Sequence, residues 1–174
     1  LTNCIKKRHV LAHASGAIVD RTNKGSKILT AGHVCDRKEL LGFFDPKTTT
    51  VKVKYIMIAY NGQHFDADVI RVDPTIDSCL LFAENMTRWR PFKIRTYEPK
   101  YGEKLYNIAN PLAAASITVT PMLEGRFIGN ASTHRANYSI PAAPGSSGSP
   151  IFDSHGRLVG MIHSVMYMFH HISV

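Results

Sequence analysis

The chain has 174 residues, 44% apolar and 20% charged, with 21 Lys and Arg against 13 Asp and Glu for a net charge of +8. That balance is globular and excludes a disordered, collagen-like or coiled-coil chain. No apolar run reaches the roughly 18 residues of a membrane-spanning helix, and three cysteines are too few and odd in number for a disulfide scaffold.

The chain opens at Leu1 without a charged-then-apolar leader, which reads as a piece excised from something longer. Short β-branched runs bounded by turn formers then predict strands. The first covers residues 10–20 and leads through the turn Arg21-Thr22-Asn23-Lys24-Gly25 into 27–30. Residues 51–56 alternate apolar and polar, and Asn61-Gly62 is a hairpin signal before 65–72. A run over 78–82 closes this set. Residues 85–100, with Arg88, Arg90, Pro91 and Pro99, read as a linker. A second set follows at 104–109, 116–120, 125–128, 150–153 and 158–164. Only 35–41 reads as helical, for a turn or two. Two groups of short strands suggest an all-β pair of barrels or a sandwich. The implied organisation is a first half over 1–84, a linker over 85–100 and a second half over 101–174.

The basic clusters are short: Lys6-Lys7-Arg8, Arg37-Lys38, and Arg88-Trp89-Arg90 with Lys93 and Arg95. With no zinc-finger spacing, RNA-binding aromatic box or continuous basic helix, they read as solvated charge. Nucleic acid stays a side partner of the basic surface and is not favoured. The histidines show no ligand spacing such as His-Glu-x-x-His, so no metal site is assigned and no cofactor is implied.

Chemistry concentrates in three places. Pro144-Gly145-Ser146-Ser147-Gly148-Ser149-Pro150 is a glycine-bracketed loop able to turn its N–H groups inward around Ser147. It is not the α/β-hydrolase elbow, because Ser149 stands where that motif needs its second glycine. A serine hydroxyl needs a base. His33, in Thr30-Ala31-Gly32-His33 at a predicted strand end, has a small-residue context that His9, His13, His64, His134, His155, His163, His170 and His171 lack. A base histidine needs a carboxylate to fix its tautomer. Asp77, at the mouth of the apolar run Cys79-Leu80-Leu81-Phe82, fits best. Asp73 is the runner-up, and Asp66 and Asp68 read as solvated.

In the order His33, Asp77, Ser147 these segments resemble the trypsin/chymotrypsin-like serine protease superfamily. Thr30-Ala31-Gly32-His33 is similar to its Thr-Ala-x-His motif, Asp77-Ser78-Cys79-Leu80-Leu81 to its Asp-x-x-Leu-Leu, and Gly145 through Pro150 to its Gly-x-Ser-Gly-x-Pro. The separations of 44 and 70 residues resemble the family order with a trimmed second half. Residues 101–111 resemble the opening of the second barrel in the Deg-type and glutamyl endopeptidase branches, and 156–161 the strand after the nucleophile. The resemblance implies two six-stranded antiparallel β-barrels with the active site in the cleft between them. It implies Ser147 as nucleophile, His33 as general base, Asp77 as its orienting acid, and the N–H groups of Gly145 and Ser147 as the oxyanion hole. The implied substrate is a polypeptide.

Departures from the family are as informative. The zymogen switch is missing, since Ser146 stands where digestive members carry Asp and Leu1-Thr2-Asn3 is unlike their activation end. The disulfide beside the family's histidine also looks missing. Cys35 lies two residues after His33, but the family's usual partner region reads Ser15-Gly16-Ala17, leaving a Cys4–Cys35 pair open and Cys79 as a small core residue. The substrate pocket is expected around Ala142, Ile162, His163 and Ser164. Pro141, six residues before Ser147, rules against cleavage after Lys or Arg, and Ala142 replaces the Thr of Glu-cleaving relatives. His163 reaches the pocket only through a bulge, because a one-residue slip reverses a strand's face. A small or apolar residue before the scissile bond is the leading expectation.

The leading reading is therefore a serine endopeptidase, a viral polyprotein-processing protease working in the host cytoplasm. The alternatives are a secreted bacterial protease of glutamyl-endopeptidase type and a catalytically inactive protease fold serving as a binding module.

Overall fold

The computed structural model describes residues 9–36, 38, 41–42, 44–45, 47, 49–116 and 118–165. They form two β-sheets. The first has five strands: β1 (Ala17–Arg21), β2 (Gly25–Ala31), β3 (Tyr55–Ile58), β4 (His64–Asp73) and β5 (Ser78–Glu84), in the spatial order β1-β2-β5-β4-β3. The second has six: β6 (Lys93–Ile94), β7 (Lys104–Ile108), β8 (Met122–Ser132), β9 (Arg135–Tyr138), β10 (Pro150–Phe152) and β11 (Arg157–Met161), ordered β6-β11-β10-β7-β8-β9. All pairings are antiparallel except β11 with β6, which is parallel.

Each sheet buries its own core. β2 and β5 pair in unbroken register from Gly25↔Glu84 to Ala31↔Ser78, and their alternate residues Ile28, Cys79, Leu81 and Ala83 turn inward with Ala67 and Met86. Trp89 seals one side of this cluster, edge-on to Phe65 at 5.3 Å between ring centroids. The second core gathers Leu105, Phe127, Tyr138, Ile140, Ile151 and Ile162. Burying each such large side chain contributes about 1.5–3 kcal/mol.

The 85–100 stretch stitches the sheets together. The Phe92 N–H donates to the Ile18 carbonyl of β1, and the Arg95 N–H donates to the Leu158 carbonyl of β11. Arg95 does not join the basic surface that its sequence cluster implies. Its guanidinium is 4% exposed and pairs with Glu103 at 2.5 Å and Asp153 at 3.5 Å, while Arg157 holds the same aspartate at 2.7 Å.

Several local expectations change. Residues 9–16 carry no strand, because the chain there leaves β1 to reach the serine loop. The strand expected at 116–120 lies partly outside the described residues, and those described there carry no strand: Ser116 and Val119 exchange both backbone hydrogen bonds, and Val119 is 51% exposed. Strand β9 was not expected: Arg135-Ala136-Asn137-Tyr138 alternates polar and apolar over only four residues, too short a run to mark a strand. The helical reading of 35–41 lies partly outside the described residues. What precedes it is a 3-10 turn, Gly32–Cys35.

The cysteine expectation is corrected outright. Cys35 is bonded to Cys79, so Cys35 is not available to Cys4, which lies outside the described residues, and Cys79 is no free core thiol. The cause is the β2–β5 register. Thr30 faces Cys79, and the 3-10 turn after β2 folds Cys35 back over that end of β5. In the chain-entropy model a cross-link closing 44 residues contributes about 4 kcal/mol. The double variant Cys35→Ser/Cys79→Ser is expected to lose about that much in urea unfolding. Added reductant should destabilise the parent protein and leave the double variant unchanged.

Candidate active site

The ends of β2 and β5 place the first two groups. Two residues beyond β2, His33 sits in the 3-10 turn, and Asp77 lies immediately ahead of β5 at the close of a turn with φ +48°. The Gly32 N–H donates to the Asp77 carbonyl at 2.8 Å. The His33 N–H donates to Asp77 Oδ1 at 2.8 Å, and His33 Nδ1 lies 2.9 Å from Asp77 Oδ2. Gly32 permits this approach, since a Cβ there would stand 2.8 Å from Oδ1.

The third group comes from the loop before β10. Ser147 Oγ lies 3.0 Å from His33 Nε2. An ionised carboxylate can only accept, so Nδ1 carries the imidazole proton and bare Nε2 accepts from the serine hydroxyl.

The serine loop is anchored from four sides. The Gly148 N–H donates to the Ile162 carbonyl at 2.7 Å, and the Ile162 N–H returns a bond to the Ser149 carbonyl at 3.0 Å. Buried Asn107 on β7 donates from Nδ2 to Ser149 Oγ and to the Pro150 carbonyl, both at 2.8 Å. Ser146 closes the turn locally, its N–H donating to the Ala143 carbonyl and its Oγ accepting from the Ala143 N–H. The fourth anchor is Ser15, in the strandless lead to β1. Its N–H donates to the Ser147 carbonyl at 2.8 Å and its hydroxyl to the Gly145 carbonyl at 2.8 Å, while Thr30 Oγ1 donates to the Ser15 carbonyl. Gly148, at φ +82°, lets the loop lie directly on this segment, for a Cβ would collide with Thr30 Oγ1 and the Ser15 carbonyl.

Within the loop the N–H groups of Ser146, Gly148 and Ser149 are all used by backbone carbonyls. Among the described residues, those of Gly145 and Ser147 are not. Two uncommitted donors beside a serine hydroxyl can receive a developing oxyanion.

The four expected pocket residues separate. Ile162 is 1% exposed, its side chain in the second core and its backbone clamping the serine loop. Ala142 packs against the edge of that core, and Ser164 is exposed. His163 turns toward Asp77, with Nδ1 3.1 Å from Oδ2. A cleft of about 500 Å³ opens on this side, walled in part by Ser78, Tyr97, Arg135 and His163; His33 and Ser147 are not among its walls.

Burial pulls the Asp77 carboxyl upward, but the His33 side-chain and backbone hydrogen bonds, with the nearby His33 and His163 imidazoles, outweigh it and leave it below its ordinary value. For His163, burial lowers the value first. Asp77 opposes, Arg135 and His33 add to the lowering, and the net is downward.

Sequence reasoning missed Ser15, Asn107 and the place of His163. Each acts through a partner more than 40 residues away, so no local signal marks it.

This geometry lies in a trypsin-like serine protease fold of two β-sheets. Residues 14–161 match the family model described as a trypsin-like peptidase domain, and the chain belongs to that family. It is 31% identical over 103 residues, 56% of its length, to the uncharacterized protein y4bJ of Sinorhizobium fredii, and spans 16% of that protein. Its fold is similar to that of the serine endoprotease from Yersinia pestis, with a TM-score of 0.74 and 19% identity, over 97% of this chain and 54% of that one.

Acid should destabilise the fold in two steps. The native His163 value lies below that of a free histidine, about 6.5, so the unfolded chain takes up that proton first as pH falls and stability declines from there. Asp77 is also depressed. Its contribution is complete above the unfolded carboxylate value of about 3.9 and is lost as pH falls through the native one. Denaturation midpoints against pH are expected to lose the upper step in His163→Asn, and to decline less steeply below pH ~4 in Asp77→Asn.

Proposed function

We propose that the protein is a serine endopeptidase that cleaves polypeptides through an acyl-enzyme. The observation that carries this reading is the continuous chain from Asp77 Oδ2 to His33 Nδ1 at 2.9 Å and from His33 Nε2 to Ser147 Oγ at 3.0 Å.

In the proposed reaction Ser147 Oγ attacks the scissile carbonyl carbon as its proton passes to His33 Nε2. Asp77 holds the ring and offsets the positive charge it gains. The oxyanion rests on the N–H groups of Gly145 and Ser147. Collapse breaks the C–N bond, with His33 returning the proton to the leaving amine. Water, deprotonated by His33, then attacks the ester carbonyl, and Ser147 leaves as the alcohol. We further propose that residues 1–84 and 101–174 work as two halves, the first supplying base and acid and the second the nucleophile. The absence of an acid at Pro141 and the small side chain of Ala142 favour a small or apolar residue before the cut.

Two finer readings of the natural substrate remain in competition. Ser146, where digestive relatives carry an aspartate, and the short 70-residue separation of Asp77 from Ser147 favour viral polyprotein processing. The Cys35–Cys79 bond favours a secreted bacterial protease, because such bonds persist in oxidising compartments. Thiol mapping at Cys35 and Cys79 in the protein from its natural source separates them: a bonded pair supports secretion, free thiols at both positions the host cytoplasm.

A fluorophosphonate probe is expected to label Ser147 in the parent protein, with labelling lost in Ser147→Ala and His33→Ala. Turnover of a peptide substrate should fall about a million-fold in Ser147→Ala and about 10⁴-fold in Asp77→Asn. A folded parent protein that takes no label would instead mark an inactive binding module.

A further inference from the structure

Asp77 has two imidazoles on one carboxylate oxygen. Its Oδ2 lies 2.9 Å from His33 Nδ1 and 3.1 Å from His163 Nδ1, while Oδ1 accepts the His33 N–H. The mechanism above uses only the first imidazole. His163 lies two residues beyond β11, in the chain that clamps the serine loop through Ile162, and its side chain is 17% exposed. The charged and titratable groups facing it are Asp77 ahead of β5, His33 in the 3-10 turn and Arg135 on β9. Its other ring nitrogen, Nε2, lies 3.4 Å from Ser164 Oγ.

We propose that His163 is a positioning residue for catalysis: as a neutral imidazole it donates Nδ1–H to Asp77 Oδ2 and fixes the carboxylate against His33. The inference rests on the proposed protease function.

Charge decides the protonation form. A cationic His163 would compete for Asp77 with the imidazolium that forms on His33 during attack. Burial first, then Arg135 and His33, hold His163 neutral. A neutral ring offers one N–H donor, and Asp77 can only accept, so Nδ1 carries the proton. The bond does two things. It restrains a carboxylate that sits at the end of a turn in an uncommon backbone conformation. It also draws part of the carboxylate's charge away from the imidazolium that forms on His33 during attack.

The test compares His163→Leu, which keeps bulk without a donor, with His163→Asn, whose amide can offer an N–H near the Nδ1 position. With a peptide substrate, His163→Leu is expected to lower kcat about ten- to hundredfold, the range of one hydrogen bond to a charged group. KM should stay within about twofold. The acidic limb of kcat/KM should move to higher pH, because Asp77 then pairs with His33 alone. His163→Asn should restore both readouts. A His163→Leu enzyme with parental kcat and an unmoved acidic limb overturns the proposal, as does His163→Asn behaving no better than His163→Leu.

Proton NMR of the parent protein decides the matter should His163→Leu not fold. Two low-field imidazole N–H signals are expected, both shifted in Asp77→Asn and one lost in His163→Asn; a single signal overturns the shared carboxylate. Failure of the parent to take the fluorophosphonate label would sink the protease reading, and the signal count would still decide whether His163 donates to Asp77.

Discussion

The antiparallel register of β2 on β5 governs the molecule. Once Ala31 is opposite Ser78, the residues just past the two strand ends must meet, and those residues carry an imidazole and a carboxylate. The pair lies where strand hydrogen bonding stops, so its remaining backbone donors are free to bind it together. The Gly32 N–H takes the Asp77 carbonyl and the His33 N–H takes the carboxylate. A slip of one residue would reverse the inward face of β2 and carry His33 away from Asp77. The Cys35–Cys79 bond closes the same end from the core side, so side-chain contact and covalent link secure one junction.

The nucleophile belongs to the other sheet and has no register with this pair. Polar contacts across the gap must bring it within reach. Ser15 accomplishes most of that with one residue, donating to the carbonyls of Ser147 and Gly145 while Thr30 of β2 holds its own carbonyl. A segment without strand structure is suited to this. Its backbone groups are not consumed by a ladder, so they are available to a loop that has unpaired carbonyls of its own. On the far side the Ile162 backbone and Asn107 fix the loop to the second core. The 3.0 Å separation between His33 and Ser147 is the product of these opposing anchors.

The strands with strong patterns were legible in the sequence: β2, β4, β5, β7, β10 and β11 fall where alternation or an apolar run places them. So were His33, Asp77 and Ser147, because each stands in a short motif whose small residues have a steric cause, such as Gly32 against Asp77 and Gly148 against Ser15. Features defined across the fold were not legible. Strand β9 forms because the adjacent long β8 gives it a partner, and the four-residue alternation that sets Ala136 and Tyr138 toward the core is too short to be read alone. Thr118, Val119 and Thr120 are β-branched yet form no strand, since Val119 bonds back to Ser116. Cys79 looked like filler until β5 had a neighbour. His163 was expected in the pocket only through a bulge, and it does wall the cleft, but its approach to Asp77 was not legible, since face alternation cannot reveal which partner waits beyond a strand's end.

Sharing Asp77 between two rings sets a balance that one aspartate–histidine pair does not face. An orienting carboxylate works best when it is fully ionised and rigid, yet a carboxylate only 20% exposed suffers loss of solvent around its charge. Each N–H donor offsets that loss and limits rotation, and each also dilutes the charge left for the imidazolium. The two His33 donors, with the third proposed for His163 at 3.1 Å, place this site toward rigidity. A neutral His163 keeps the dilution modest, since it contributes a dipole and not a full positive charge. Arg135 therefore has a consequence at a distance: by disfavouring a second cation beside Asp77, it reserves the carboxylate's charge for the ring that faces Ser147.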